Sequence, residues 1–265
     1  MVVTNTHNQR SYALITGASA GLGAEFARQL AGQKHDLILV ARREDRLQSL
    51  AESLRQTYGV GCEIIVADLS DPGAGEHVAT RCLDAGWQVD WLVNNAGVAG
   101  PDLLKDRDWS AQNTFFQLMM LSVADLCHRL IPQMVARGYG RVVNVASVAA
   151  RVPRSGGCNY GPAKAYLVAL SEELNLTVAA QGVHVSALCP GFTHTDFHET
   201  AGLMEMKNNM AKWLWYDADV VVRDAINGVE AGKPVVVSGR LYRWLDPIFQ
   251  SVWTRSWLRI KARPE

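Results

Sequence analysis

The sequence predicts an α/β fold, a single doubly wound parallel sheet with helices on both faces. Three observations lead there. Short β-rich runs alternate with longer helical patterns along the chain. Several of those runs, such as Leu37-Ile38-Leu39-Val40 and Val142-Val143, are apolar without interruption, which suits strands buried on both faces. The first run, Ala13-Leu14-Ile15, passes through Thr16-Gly17-Ala18-Ser19-Ala20-Gly21-Leu22-Gly23 into an amphipathic segment that starts at Leu22, a strand, a glycine turn and a helix. The 265 residues, with no internal repeat or low-complexity linker, suit one domain spanning 1–265.

The glycine turn comes first. Gly17, Gly21 and Gly23 let the backbone turn tightly and approach a phosphate, and the helix start, reached through Ser19, Ala20 and Leu22, offers unpaired N–H groups and a positive dipole end. The spacing is G-x-x-x-G-x-G rather than G-x-G-x-x-G, and a plain tight loop is the competing reading. A second strand, Leu37–Ala41, ends at Arg42-Arg43, where a site for NAD would hold a carboxylate against the ribose 2′-hydroxyl. A cation there suits a 2′-phosphate, hence NADP. Arg46 lies one helical turn beyond Arg42, so the two guanidinium groups are expected to converge on that phosphate; a solvated basic helix start beside Glu44 and Asp45 is the alternative. The strand Glu63–Ala67 leads to Asp68-Leu69, placed to hold an adenine amino group and cover its ring. The strand Trp91–Asn94 leads to Asn95-Ala96-Gly97, whose small residues admit a ribose, and either stretch also reads as an ordinary turn.

The chemistry follows the strand Arg141–Ala146, in Ser147, Tyr160 and Lys164. Tyr160 and Lys164, four apart on a helix, share one face. A free phenol titrates near pH ~10; an adjacent ammonium favours phenolate and makes Tyr160 a general acid or base. Ser147 would hydrogen-bond a substrate carbonyl or hydroxyl. Alone, a Tyr–Lys pair on a helix is commonly a surface pair, and it is the neighbouring dinucleotide site that gives it chemical meaning.

The strands His184–Leu188 and Val235–Val237 complete the pattern. Between them, 192–216 reads as a substrate lid rich in Met204, Met206, Met210, Trp213 and Trp215, or as a helix pair packed on the core or on another subunit. His194, Asp196 and His198 alternate in this segment without a further ligand, so no metal is expected. Arg151 and Arg154 either attract an acidic substrate or are solvated loop charges. In the tail, 241–265, Leu241, Trp244, Leu245, Ile248, Phe249, Val252, Trp253 and Trp257 form an apolar stripe among Arg243, Arg255, Arg259 and Lys261. A second subunit or the substrate pocket is expected to cover it, with a membrane surface as the alternative, and Pro247 is expected to break or kink the helix.

Charge is balanced at 26 basic and 26 acidic residues, which argues against a nucleic-acid partner. Residues 1–10 are polar, no run is long enough to span a bilayer, and a cytoplasmic protein is expected. Cys62, Cys82, Cys127, Cys158 and Cys189 are scattered without C-x-x-C spacing, which argues against a disulfide framework and a zinc site.

Together Thr16–Gly23, Asn94-Asn95-Ala96-Gly97, Ser147, Tyr160-Gly161-Pro162-Ala163-Lys164 and Pro190-Gly191 resemble the short-chain dehydrogenase/reductase family in order and spacing, from about Tyr12 to Val237. The resemblance implies a Rossmann-type NADP-dependent oxidoreductase that interconverts a carbonyl compound and an alcohol, acting on an apolar substrate and assembled as a homo-oligomer. It implies Tyr160 as acid/base, Lys164 as its tuner and a ligand of the nicotinamide ribose, and Ser147 as the substrate-orienting group. Thr193 and Thr195 match positions that hold the carboxamide, and Arg42 with Arg46 looks like the NADP-preferring branch. One departure stands out: Met119 falls where the family usually carries a proton-relay asparagine, and a thioether is a poor substitute for an amide. Ser122 and Asn113 are the nearby polar residues; a nucleotide-binding protein with weakened catalysis is the alternative function.

Overall fold

Uninterrupted apolar runs become the central strands of a seven-stranded sheet, all of whose pairings are parallel. The computed structural model describes residues 11–152, 159–194 and 215–254. Its strands are β1 (Ser11–Thr16), β2 (Asp36–Ala41), β3 (Cys62–Val66), β4 (Gln88–Asn94), β5 (Gly140–Val145), β6 (Val183–Cys189) and β9 (Val235–Val237), in the order β3-β2-β1-β4-β5-β6-β9. A separate two-stranded parallel ribbon pairs β7 (Phe192–His194) with β8 (Trp215–Asp217). The ribbon brackets the segment read as a lid; residues 195–214, with Met204, Met206, Met210 and Trp213, lie outside the described residues.

Successive side chains of each strand feed opposite cores, as the pleat requires. Leu14, Ile38, Val40, Leu92, Val142 and Val185 pack with α3 (Ala74–Asp84), α5 (Ser122–Arg137) and α6 (Tyr160–Val178). On the other face Ala13, Ile15, Leu37, Leu39, Val93 and Val143 pack with α1 (Gly21–Gly32), α2 (Glu44–Tyr58) and α7 (Ala218–Glu230). Full burial of each large apolar side chain contributes roughly 1.5–3 kcal/mol, so both faces hold the sheet. Four of the cysteines, 62, 82, 127 and 189, are buried as free thiols.

From β1 the chain builds outward to β2 and β3 on one side, then crosses to β4 on the other. That reversal opens a crevice at the carboxyl ends of β1 and β4, where ligands of such sheets bind. Two glycines make the crevice possible. Gly17 has φ +63°, and a Cβ on Gly23 would lie 2.3 Å from the Gly17 carbonyl oxygen.

Two features depart from the periodicity. A π-turn, Gln117–Leu121, joins α4 (Trp109–Phe116) to α5, with Ser122 N–H donating to the Gln117 carbonyl. The last described helix, α8 (Arg240–Gln250), runs through Pro247 where the sequence predicts a break, because the missing donor falls near the helix end and tertiary bonds hold its flanks. No helix among the described residues is long and apolar enough to cross a membrane.

Candidate active site

A cavity of about 770 Å³ lies along the strand ends. At one end it is lined by Gly17, Ser19, Ala20, Gly21 and Leu22. Ala20 caps α1 without any side-chain hydrogen bond, and the first turn carries no acidic residue, so the leading N–H groups and the dipole remain available to an anion. Thr16, at the end of β1, and Asn95, just beyond β4, brace this turn. The Thr16 hydroxyl accepts from Asn95 N (2.9 Å) and Ala96 N (3.1 Å), while Asn95 Nδ2 donates to the carbonyls of Thr16 (2.9 Å) and Gly17 (3.3 Å). Asn95, Ala96 and Gly97 line the cavity as the sequence suggests, yet the Asn95 amide is committed to the glycine turn. Gly23 does not line it and instead clears the way for that turn.

Farther along stand Arg42, Arg43, Asp68 and Leu69. Arg43 Nη2 donates to Ser19 Oγ at 2.9 Å, and Arg42 Nη1 meets Asp68 Oδ2 at 3.2 Å. Ser70 gives Asp68 two further hydrogen bonds, at 2.7 and 3.0 Å. Partial burial raises the Asp68 carboxyl, but the Ser70 and Arg42 hydrogen bonds together outweigh it and hold the group below the usual carboxylate range. The expected convergence of Arg42 and Arg46 is not what the fold produces. α2 starts at Glu44, so Arg42 precedes the helix and the one-turn rule does not apply to the pair; Arg46 is exposed and does not line the cavity, whereas Arg43, at the N-cap, does.

At the other end are Ser147, Tyr160 and Lys164. Ser147 follows β5 and caps a 3-10 turn, Val148–Ala150, its hydroxyl accepting from Ala149 N at 3.1 Å. Tyr160 opens α6, and Lys164 Nζ lies 5.8 Å from the centre of its ring. Nζ donates to the Val145 carbonyl at 2.6 Å. Burial depresses the Lys164 ammonium from its ordinary value to about 8. Thr193 also lines the cavity, its hydroxyl donating to the Gly191 carbonyl at 3.1 Å. Thr195, Arg154, Asp196 and His198 lie outside the described residues, and His194 stacks on Trp215 at 5.1 Å between ring centres.

Met119, in the π-turn, is buried beside this group. Its Sδ accepts from Val98 N at 3.3 Å and would lie 3.2 Å from a Cβ on Gly97. Neither polar neighbour replaces the amide: Ser122 Oγ donates back to the Leu118 carbonyl at 2.8 Å, and Asn113 is exposed. Several supports went unread in the sequence. Asn94 Nδ2 donates to Asn144 Oδ1 (2.8 Å) and Asn144 Nδ2 to Ser171 Oγ (2.9 Å), tying β4, β5 and α6 together under the site. Asn159, next to Tyr160, donates to the buried Gln112 side chain. Arg151 forms a two-pronged ion pair with Asp246 of α8 (2.6 and 2.7 Å). Only periodic burial of polar residues hinted at these, since their partners lie far away in sequence.

A crevice that fits a dinucleotide and runs to a half-buried Tyr160 beside a buried Lys164 defines a class, the cofactor-dependent oxidoreductases. Residues 11–205 match the model of the short chain dehydrogenase family, and the chain belongs to the short-chain dehydrogenase/reductases. It is 34% identical over 186 residues to sulfoacetaldehyde reductase 2 of Chromohalobacter salexigens, covering 69% of this chain and 73% of that protein. The fold superposes on a short-chain dehydrogenase from Sphingobium yanoikuyae solved in complex with NADPH (31% identity, TM-score 0.78, 89% of this chain and 91% of that one). It also superposes on the bulky-bulky ketone specific alcohol dehydrogenase from Comamonas testosteroni (28% identity, TM-score 0.76, 93% and 94% covered).

Proposed function

We propose that the protein is an NADPH-dependent reductase of apolar ketones or aldehydes, with Tyr160 as the general acid. The observation that carries this reading is that Tyr160, Lys164 and Ser147 line the same cavity as the uncapped start of α1. The uncapped helix and the glycine turn fit a pyrophosphate, and Arg42 and Arg43 fit a 2′-phosphate. The Arg42–Asp68 contact is largely exposed and weak, so Arg42 is free to exchange partners. Asp68 and Leu69 would face the adenine, Asn95 through Gly97 and Lys164 the riboses, and Thr193 the carboxamide. NADPH, when bound, supplies a hydride to the carbonyl carbon.

The chain's own residues do the rest. Ser147, fixed at the end of β5, donates a hydrogen bond to the substrate oxygen and orients it. The Tyr160 hydroxyl gives its proton to that oxygen, and the phenolate left behind is stabilised by the neighbouring Lys164 ammonium. Tyr160→Phe is therefore expected to lower kcat by about 10²–10⁴-fold while NADPH affinity, followed by fluorescence, changes less than twofold. Retained turnover in that variant would remove Tyr160 from its role.

The sulfur of Met119 favours a slower enzyme of this kind over one with a full relay, because its lone pairs face the Val98 N–H and it has no proton to pass.

A further inference from the structure

The substrate end of the cavity is walled by a helix that reaches it from the far end of the chain. Phe249 and Tyr242 of α8 line the cavity opposite Val98, Leu118, Val152 and Phe192. Several polar contacts fasten α8 there, among them an Arg243–Asp224 ion pair at 3.1 Å that ties it to α7. Arg151, on the turn just after Ser147, holds Asp246 through two short charge-assisted hydrogen bonds, and the two side chains are only 16% and 18% exposed. Gln250 Nε2 donates to the Arg151 carbonyl at 2.9 Å, and Leu241 N donates to the Tyr216 hydroxyl at 3.3 Å. The Tyr242 ring is pressed against the backbone: a Cβ on Gly191 would lie 2.0 Å from it. On the opposite face of α8, Trp244 is 82% exposed.

The same pair sets the charge of this end. Among the described residues the cations lining the cavity are Arg42 and Arg43, beside the glycine turn, and Lys164, whose Nζ donates to Val145 O. Arg151, the remaining described cation near Ser147, does not line the cavity; its guanidinium is consumed by Asp246. Among the described residues, a substrate carboxylate or sulfonate would be desolvated against an apolar wall with no free cation at this end to meet it.

We infer that the Arg151–Asp246 pair is a latch that fixes α8 across the substrate end, makes Phe249 and Tyr242 the specificity wall, and selects uncharged apolar carbonyl compounds over anionic ones. The latch rests on the reductase reading above. Arg151 and Asp246 are positioning residues that touch neither substrate nor cofactor.

The test compares three probes with NADPH: a small dialkyl ketone such as butanone, a diaryl ketone such as benzophenone, and an aryl keto acid such as benzoylformate. Wild type is expected to favour the diaryl ketone over the keto acid at least a hundredfold in kcat/KM. Asp246→Asn is expected to raise KM for the diaryl ketone about tenfold, leave kcat on butanone within twofold, and lower KM for the keto acid, because Arg151 is released. A merely structural loss would weaken all three together. The exchanged pair, R151D with D246R, is expected to restore the diaryl ketone KM to within threefold. Equal losses on every probe in a variant that melts like wild type, or an unchanged keto acid KM, would overturn the latch. Calorimetric binding of the same probes to the NADP⁺ complex gives a readout without turnover. Size- and charge-selective binding without reduction would defeat the reductase reading alone; binding insensitive to Asp246→Asn would defeat the latch.

Discussion

The two ends of the cavity are built on different principles. The end proposed for the cofactor is made largely of backbone: the turn at Gly17–Gly23 and the start of α1, with the Thr16 and Asn95 side chains bonding main-chain groups between the ends of β1 and β4. The end proposed for the substrate is made of side chains from remote segments, Ser147 after β5, Phe192 in the ribbon, and Tyr242 and Phe249 on α8, which the Arg151–Asp246 pair holds in place. Backbone geometry tolerates few substitutions but binds any molecule with the right phosphates. A side-chain wall tolerates many substitutions and changes its ligand with each. The cofactor of this fold should therefore be hard to alter by mutation and its substrate easy.

The largest expected effect breaks the backbone end. Gly23→Ala would place a methyl 2.3 Å from the Gly17 carbonyl oxygen and 2.6 Å from Asn95 Nδ2, neither of which yields easily. Such overpacking costs about 1–3 kcal/mol, worth several degrees of Tm in a chain of this size. NADPH affinity, read by fluorescence titration, should fall at least a hundredfold; a variant that binds normally would show that the turn is not the phosphate cradle.

The next effect belongs to the junction of the two ends. Because burial holds Lys164 at about 8, it is charged below that pH and neutral above. In the proposed mechanism the charged form would stabilise the Tyr160 phenolate, so kcat is expected to be level below pH 8 and to fall up to tenfold per unit above it. A pH profile at saturating NADPH measures this, and a profile level to pH 10 would contradict it.

A smaller effect separates two arginines. Arg43→Ala should weaken NADPH about tenfold relative to NADH, the scale of one charge-assisted contact, while Arg46→Ala should leave both affinities within twofold. Titrating both cofactors decides between them.

The smallest effect probes Met119. Met119→Asn should raise kcat a few-fold, a part of the ~10²–10⁴ typical of acid–base help, with NADPH affinity unchanged. Melting curves must accompany the rates, since an amide without partners there would cost about 1–3 kcal/mol. A folded variant no faster than wild type would mean that the relay is not limiting.

The same contrast explains what was legible in the sequence. β-rich runs located all seven strands of the main sheet, most directly where a strand such as β2 is apolar without interruption from Leu37 to Ala41 and leaves no polar alternation to confuse the reading. Gly17, Gly21, Asn95, Tyr160 and Lys164 were readable since their partners lie within a turn or at a strand end. Arg43 was passed over for Arg46 because helical spacing was applied across a helix start at Glu44 that begins after Arg42. The ribbon of β7 and β8 consists of strands too short for periodicity to register. Asp246 could not be matched to Arg151, since nothing local distinguishes a latch from a solvated charge.

The π-turn has a consequence for how this lineage can change. A π-turn amounts to one residue inserted into an α-helix, and each residue turns a helix by about 100°. Deleting a single residue between Gln117 and Leu121 would restore regular winding and leave the flanking helices in phase, but it would remove the widened turn that carries Met119 to the Val98 N–H. The turn is thus the place along this helix where a one-residue change of length can be absorbed, and its effect would fall on Met119 rather than on the faces of α4 and α5.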